Sequence, residues 1–245
     1  MSKPNFVQPL TCYNVDKLIF CGDIHGEFSR LIWNATNHKI ANACIIICGD
    51  FGIGFNKEKK FTMDNSARKK MKDFNLYVKA IRGNHDDPSY FDGKHNENRV
   101  EFLQDHVPFE VLGKTIYPIG GATSIDKWDR IEANKKSDKK CYWWGNENIV
   151  KKDINSLPDS VDIIISHEAP LSFEPVYKST NRFSSDIYDA ISEDRKYLDE
   201  VEKKIKYSKW YFGHYHKSII GQNYRCLDIQ ELLPYYDYED EEIEE

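Results

Sequence analysis

Short, unbroken apolar runs alternate with glycine-containing loops and helix-periodic stretches along the first half of the chain. The runs KLIFCG (17–22), ACIIICG (43–49) and LYVKAIRG (76–83) are continuously apolar rather than alternating, the pattern of strands buried on both faces. Between the first two, EFSRLIWNATNHKI places Phe28, Leu31, Ile32 and Ala35 on one helical face. A lysine-rich stretch, about 57–74, predicts a second helix. The repeated strand–helix order predicts βαβα units around a parallel sheet. The second half reads differently. Residues 109–121 predict a hairpin turning at Gly113 and Lys114, 161–167 another buried strand, and about 185–206 a charged helix. The segments 210–216 and 218–229 predict closing antiparallel strands. No linker rich in Pro, Gly or Ser divides the halves, so one domain is expected over 1–233. The acidic segment 234–245 is expected to be a disordered tail.

The strand ends carry the chemistry. In open α/β sheets, ligands gather at the carboxyl ends of the strands. The first strand delivers Asp23 and His25, the second Asp50, the third Asn84, His85 and Asp86, and later strands His167, His214 and His216. Five of the eight histidines are therefore expected at strand ends. Asp23 and His25 are two apart, as are His214 and His216, and alternation in extended backbone would turn each pair toward one centre. Flanking glycines permit tight turns and close approach to a ligand. Imidazole, carboxylate and amide oxygen together suit Mn, Fe, Zn or Ni more than Ca. The donors are too many for one ion, and two ions sharing a carboxylate fit the count.

The ordered series GDIHG, GD, GNHD, SH and GHYH resembles the calcineurin-like metallophosphoesterases over roughly residues 18–217. The resemblance implies a four-layer αββα sandwich of two mixed β-sheets. It implies that Asp23, His25 and His216 hold one divalent ion, that Asn84, His167 and His214 hold the other, and that Asp50 bridges them. His85 would face the leaving-group oxygen, with Asp86 orienting its ring and raising its pKa. The implied reaction is phosphoester hydrolysis by a bridging hydroxide, with Mn²⁺ foremost among the ions and Fe, Zn, Ni or Mg as alternatives. One motif departs from many relatives: the second reads GDFGIGF, with Ile53 at the second acid position and no arginine following to clamp a phosphate. GDIHGEF and RGNHD nevertheless lean toward a phosphatase acting on protein or nucleotide monoesters. The alternatives are a phosphodiesterase acting on cyclic nucleotides or nucleic acid, and a non-catalytic metal-binding scaffold.

Composition refines this picture without changing it. The net charge of −6 sits in the last twelve residues, which hold seven acids and no base; without them the chain carries +1. That balance speaks against broad phosphate binding by a nucleic-acid module. No apolar run reaches the ~20 residues of a membrane span, and no membrane partner is expected. The start lacks the apolar stretch of a signal peptide. Six cysteines without a CxxC pair read as reduced core residues of a cytoplasmic protein. His38, His95 and His106 match no motif and are expected at the surface. Segment 124–147 is basic and aromatic. It is either a flap whose bases steer a phosphate and whose Trp143 and Trp144 stack a base, or a solvated loop anchored by its aromatics. Arg130 or Arg182 would then replace the missing clamp.

Overall fold

The computed structural model describes residues 11–58, 61–173 and 184–236. Arg182 and residues 237–245, most of the acidic tail, lie outside the described residues. Two mixed sheets pack face to face. The first has the order β11-β1-β2-β3-β4, the strands being β1 (Lys17–Cys21), β2 (Ala43–Ile47), β3 (Leu76–Ala80), β4 (Val100–Phe102) and β11 (Leu232–Pro234). The second has the order β5-β6-β7-β8-β10-β9, with β5 (Phe109–Val111), β6 (Lys114–Ile119), β7 (Ile163–Ser166), β8 (Lys209–Phe212), β9 (Ile219–Ile220) and β10 (Tyr224–Cys226). Helices α1 (Phe28–Asn37) and α2 (Asn65–Asp73) pack on the first sheet; α3 (Lys127–Lys135) and α4 (Ser185–Lys204) belong to the second half.

Strand alternation divides the apolar residues into three layers. Ile19, Cys21, Ile45, Ile47 and Val78 face α1 and α2, where Phe28, Leu31, Ile32 and Met71 meet them. Leu18, Phe20, Cys44, Ile46, Ile163, Ile165 and Tyr211 fill the space between the sheets. There Phe20 of β1 stacks on Tyr211 of β8 with ring centroids 3.8 Å apart. Ile164, Trp210 and Phe212 face the outer layer formed by Leu198 and Val201 of α4. Continuously apolar strands thus arise because both faces of each central strand are covered. All six cysteines are free thiols, and Cys21, Cys44, Cys48 and Cys226 are buried. Among the described residues, no helix is long and apolar enough to cross a membrane.

Several elements differ from the sequence expectation. The second helix begins at Asn65, not near 57, because Asp64 takes an extended conformation and its Oδ1 accepts from Ala67 N at 2.8 Å. That N-cap sets the start of the helix. The hairpin turns at Leu112 and Gly113, both at positive φ (52° and 73°), which leaves Lys114 in β6 paired with Val111. Such φ values match the twist of a two-residue hairpin. The strand β8 is parallel to both of its neighbours, β7 and β10. Only β9 and β10 form an antiparallel pair in that region, because the chain passes one strand position before turning back. The short edge strands β4 and β11 have too little periodicity to be read from sequence. Pairing of β11 with β1 is what makes the first sheet mixed. Segment 124–147 contains the helix α3, and His106 is buried, bonded to the Tyr117 hydroxyl and to Val150 O, rather than exposed.

Candidate metal centre

The parallel strands β1, β2 and β3 end side by side, and the loops leaving them meet the loops leaving β7 and β8. Local backbone shape, more than strand alternation, aims the side chains. His25, Asp50, His214 and His216 all lie at positive φ, 44°, 48°, 68° and 48°. This region is sparsely populated by non-glycine residues, and holding four ligand-type residues there costs on the order of 1–3 kcal/mol each. The loop is tied down by Ile24 N and His25 N, which donate to Asp50 O at 3.1 and 2.9 Å. Two glycines make the approach possible. A Cβ on Gly83 would lie 2.1 Å from Asp50 Oδ1, and one on Gly49, itself at φ +99°, would lie 2.1 Å from His167 Nδ1.

Six of the seven residues proposed as ligands converge, and His214 packs beside them. Asp23, His25 and His216 form one group, with His25 Nε2 and His216 Nε2 only 3.0 Å apart and His216 Nε2 3.0 Å from Asp23 Oδ2. Around His167 lies the other group: its Nε2 is 3.0 Å from Asn84 Oδ1 and 3.2 Å from Asp50 Oδ1. The His214 ring is 4.8 Å from the His167 ring. The two histidines of GHYH therefore divide between the groups, and do not share one centre as alternation predicts. Asp50 stands between, its Oδ2 3.8 Å from His25 Nδ1 and its Oδ1 toward His167. His167 Nδ1–H donates to Cys48 O at 2.9 Å, which turns Nε2 toward the cluster, where a bound ion would take the place of its proton.

The electrostatics fit a cation. Burial pushes the His167 imidazole down, but Asp50 and Asp23 outweigh it and carry it up to about 10. Burial would raise Asp50; His167, His85 and His25 together hold it well below the ordinary carboxylate range. His214, buried and beside His167, is pushed down to about 3 and stays neutral, the form in which imidazole ligates. Asp23 Oδ2 is buried and accepts no hydrogen bond despite the nearby histidine nitrogens. A buried carboxylate oxygen facing two imidazole nitrogens, one of which opposes the other at 3.0 Å, is the arrangement a divalent ion satisfies.

His85 is half-buried at the edge of this cluster, its ring 5.2 Å from that of His25 and perpendicular to it. Asp86 is not its partner. The Asp86 carboxylate is fully buried and accepts from Phe51 N, Gly52 N, Ile53 N and Gly83 N, at 3.1, 2.7, 3.1 and 2.8 Å. It staples the loop after β2 to the loop after β3. The carboxylate that acts on His85 is Asp50, whose Oδ1 accepts from His85 N at 2.8 Å. Burial lowers the His85 pKa, Asp50 opposes, and Arg130 adds to the lowering. The expected rise through Asp86 is thus replaced by a net fall.

Arg130 lies behind Asn84. Its Nε donates to Tyr142 O at 2.6 Å and its Nη1 to Asn84 O at 3.1 Å, and the side chain is buried. Ile53 is buried in the helix-side core with Phe51 and Met63. Trp144 packs edge-to-face on Phe55, which lies over His85 with ring centroids 6.3 Å apart. Trp143 turns its buried indole nitrogen toward Glu147 and is covered by the Lys127 ammonium. Segment 124–147 is anchored to the loop after β2, where Cys141 N donates to Phe55 O at 2.9 Å. The sequence reading missed Phe55, Ser124, Glu147 and Glu168. Glu168 follows His167 and is fully buried; its Oε1 accepts from Ala169 N and the Tyr215 hydroxyl, and its Oε2 is 3.7 Å from His214 Nε2. Adjacency to SH was the one signal available for Glu168. Ser124 and Glu147 carried none.

A family model described as calcineurin-like phosphoesterase matches residues 17–218. Twelve chains of solved structures also match. One of them, from a study of a novel archaeal phosphodiesterase, is 15% identical, with 68% of this chain and 79% of that chain covered and a TM-score of 0.30. The sequence matches none of the curated proteins compared with it.

Proposed function

The chain belongs to the calcineurin-like phosphoesterases and is a metal-dependent phosphoester hydrolase, and on that premise we propose a two-ion site built around Asp50. The observation that carries this reading is the place of that carboxylate between two donor groups, one oxygen toward His25 and the other toward His167. Asp23, His25 and His216 would hold one ion and Asn84, His167 and His214 the other, Mn²⁺ foremost, with Fe, Zn, Ni and Mg as alternatives. Two such ions, when bound, supply Lewis acidity to the phosphoryl oxygens and acidify a water at neutral pH. The protein's own part is to fix the donors in strained loops, so that little reorganisation remains at the moment of reaction. His85, half-buried at the edge of the cluster, would hydrogen-bond the leaving-group oxygen. The buried Asp86 keeps the loops that carry Asp50 and His85 in register.

The motifs GDIHGEF and RGNHD support a phosphatase acting on protein or nucleotide monoesters. A second reading, hydrolysis of phosphodiesters of cyclic nucleotides or nucleic acid, is favoured by a specific observation. No arginine follows Asp50 in GDFGIGF, and Arg130 directs Nε and Nη1 to main-chain oxygens and to Ser124, with Nη2 alone lacking a partner, so less positive charge is aimed at a dianionic monoester. Turnover of matched aryl phosphate mono- and diesters with Mn²⁺, with Asp50→Asn as control, decides between them. Metal-dependent hydrolysis abolished by Asp50→Asn supports the site, and the preferred ester names the class. Turnover that survives Asp50→Asn overturns the two-ion reading.

A further inference from the structure

We propose that Ser124, itself fixed by Glu147 and Arg130, is the positioning residue that orients Asn84 as a metal ligand, so that segment 124–147 serves as the scaffold of one half of the site. The inference rests on the two-ion reading above. A side-chain amide has unlike ends: the oxygen ligates a cation, whereas the NH₂ group only donates. Which end of Asn84 faces the cluster is decided by what the other end meets. Its Nδ2 donates to Ser124 Oγ at 3.0 Å, which leaves Oδ1 toward His167 Nε2.

The Ser124 hydroxyl has no freedom to reverse this. It donates its one proton to Glu147 Oε2 at 2.6 Å and accepts from Arg130 Nη1 at 2.5 Å and from Asn84. Arginine is a donor only, and Glu147, whose pKa burial raises while Ser124 and Arg130 oppose the rise, accepts from both Ser124 N and Ser124 Oγ, which sets the direction of each bond. Ser124 therefore presents a lone pair to Asn84, and a flipped amide would set Oδ1 against that lone pair with no donor. Glu147 is held in turn, since its Oε1 accepts from Ser124 N at 2.9 Å and its carbonyl accepts from Arg82 Nη1 at 2.8 Å. Asn84, Ser124, Arg130 and Glu147 are all at least nine-tenths buried, so water does not compete for these bonds. Arg130 Nη1 also donates to Asn84 O, clamping the backbone of the residue whose side chain Ser124 aims. The buried Arg130 of the segment braces the ligand, and the main-chain carbonyl of Tyr142 holds that arginine.

Partners behind a metal ligand typically contribute ~10–100-fold in metal affinity. The test is calorimetric titration of the metal-free full chain with Mn²⁺, using Ser124→Ala, Glu147→Gln and, as control, Thr123→Val. Thr123 is the adjacent buried hydroxyl, but its partners are Asp194 and Asn148 rather than a ligand. The expected result is two ions in the wild type. In Ser124→Ala one of them is weakened ~10–100-fold and the other unchanged. Thr123→Val is expected to lower the melting temperature and leave both affinities in place. Glu147→Gln, which leaves one oxygen to serve two donors, should weaken the same ion and carries the readout should Ser124→Ala not fold. Unchanged affinities in Ser124→Ala or, failing its folding, in Glu147→Gln overturn the assignment, as does an equal loss in Thr123→Val. A wild type that binds fewer than two ions overturns the two-ion reading, and this inference with it.

Discussion

The Nε2 atoms of His25 and His216, 191 residues apart in sequence, lie 3.0 Å from each other. Two imidazole nitrogens at that distance need a cation or a shared proton between them, and the buried Asp23 Oδ2 beside them accepts no hydrogen bond. Removal of divalent ions with a chelator is therefore expected to lower the melting temperature, and Mn²⁺ to restore it in a concentration-dependent way. At an ion concentration 100 times the dissociation constant, the gain is about 2.7 kcal/mol per site. Thermal unfolding with and without chelator checks this, and His216→Ala should remove part of the gain.

His85 lies close enough to His25 and Asp50 to share an ion with them, and in the two-ion reading it serves the leaving-group oxygen instead. His85→Asn is expected to reduce kcat by ~10²–10⁴-fold while Mn²⁺ still binds. Asp50→Asn should abolish turnover and weaken ion binding as well. Calorimetry and steady-state rates on the two variants separate these outcomes. Loss of both ions in His85→Asn would contradict its placement outside the ligand set.

Lys79 on β3 and Glu101 on β4 form a buried ion pair at the edge of the first sheet, the lysine ammonium 5.4 Å from the Phe109 ring centroid. Removing one partner takes the neighbouring opposite charge away from a buried group. Lys79→Met is expected to destabilise by about 3–5 kcal/mol, and Lys79→Met with Glu101→Leu by much less. Chemical denaturation of the two single variants and the double variant measures the coupling.

Asp194 on α4 accepts from Thr123 Oγ1 and Asn148 Nδ2, yet burial outweighs these bonds and carries its pKa up to about 6. A carboxylate raised above its unfolded value stabilises the folded state at low pH. That stabilisation is fully present below the unfolded pKa and is lost as pH rises through about 6. Asp194→Asn should therefore gain stability relative to the wild type between about pH 4 and pH 8, by at most about 3 kcal/mol. Denaturation midpoints at the two pH values test the sign.

Much of the arrangement was legible in the sequence. Apolar runs at 17–22, 43–49 and 76–83 became three parallel central strands, because burial on both faces leaves a mark that needs no knowledge of neighbours. The acids and histidines after those runs fall in one place, because the ends of parallel strands lie side by side. The short strands β4 and β11 were not legible. Three residues at a sheet edge carry too little pattern, and each is defined only by its pairing with β3 or β1. The boundary of α2 was misplaced because Asp64 acts as a cap only once the chain before it is extended.

What the sequence by itself determined was the set of donors and the sheet that gathers them. Residue type decides what an atom can ligate, and periodicity decides what is buried. The division of the donors, which the family resemblance implies, has its physical cause only in the tertiary structure. His214 and His216 part company because both take a left-handed backbone, which alternation along a strand does not describe. Asp86 serves four backbone amides rather than His85, and Arg130 braces Asn84 rather than facing solvent. Each of these assignments depends on a hydrogen-bond partner distant in sequence. A buried polar group must find its partner wherever the fold provides one, and the fold alone says where that is.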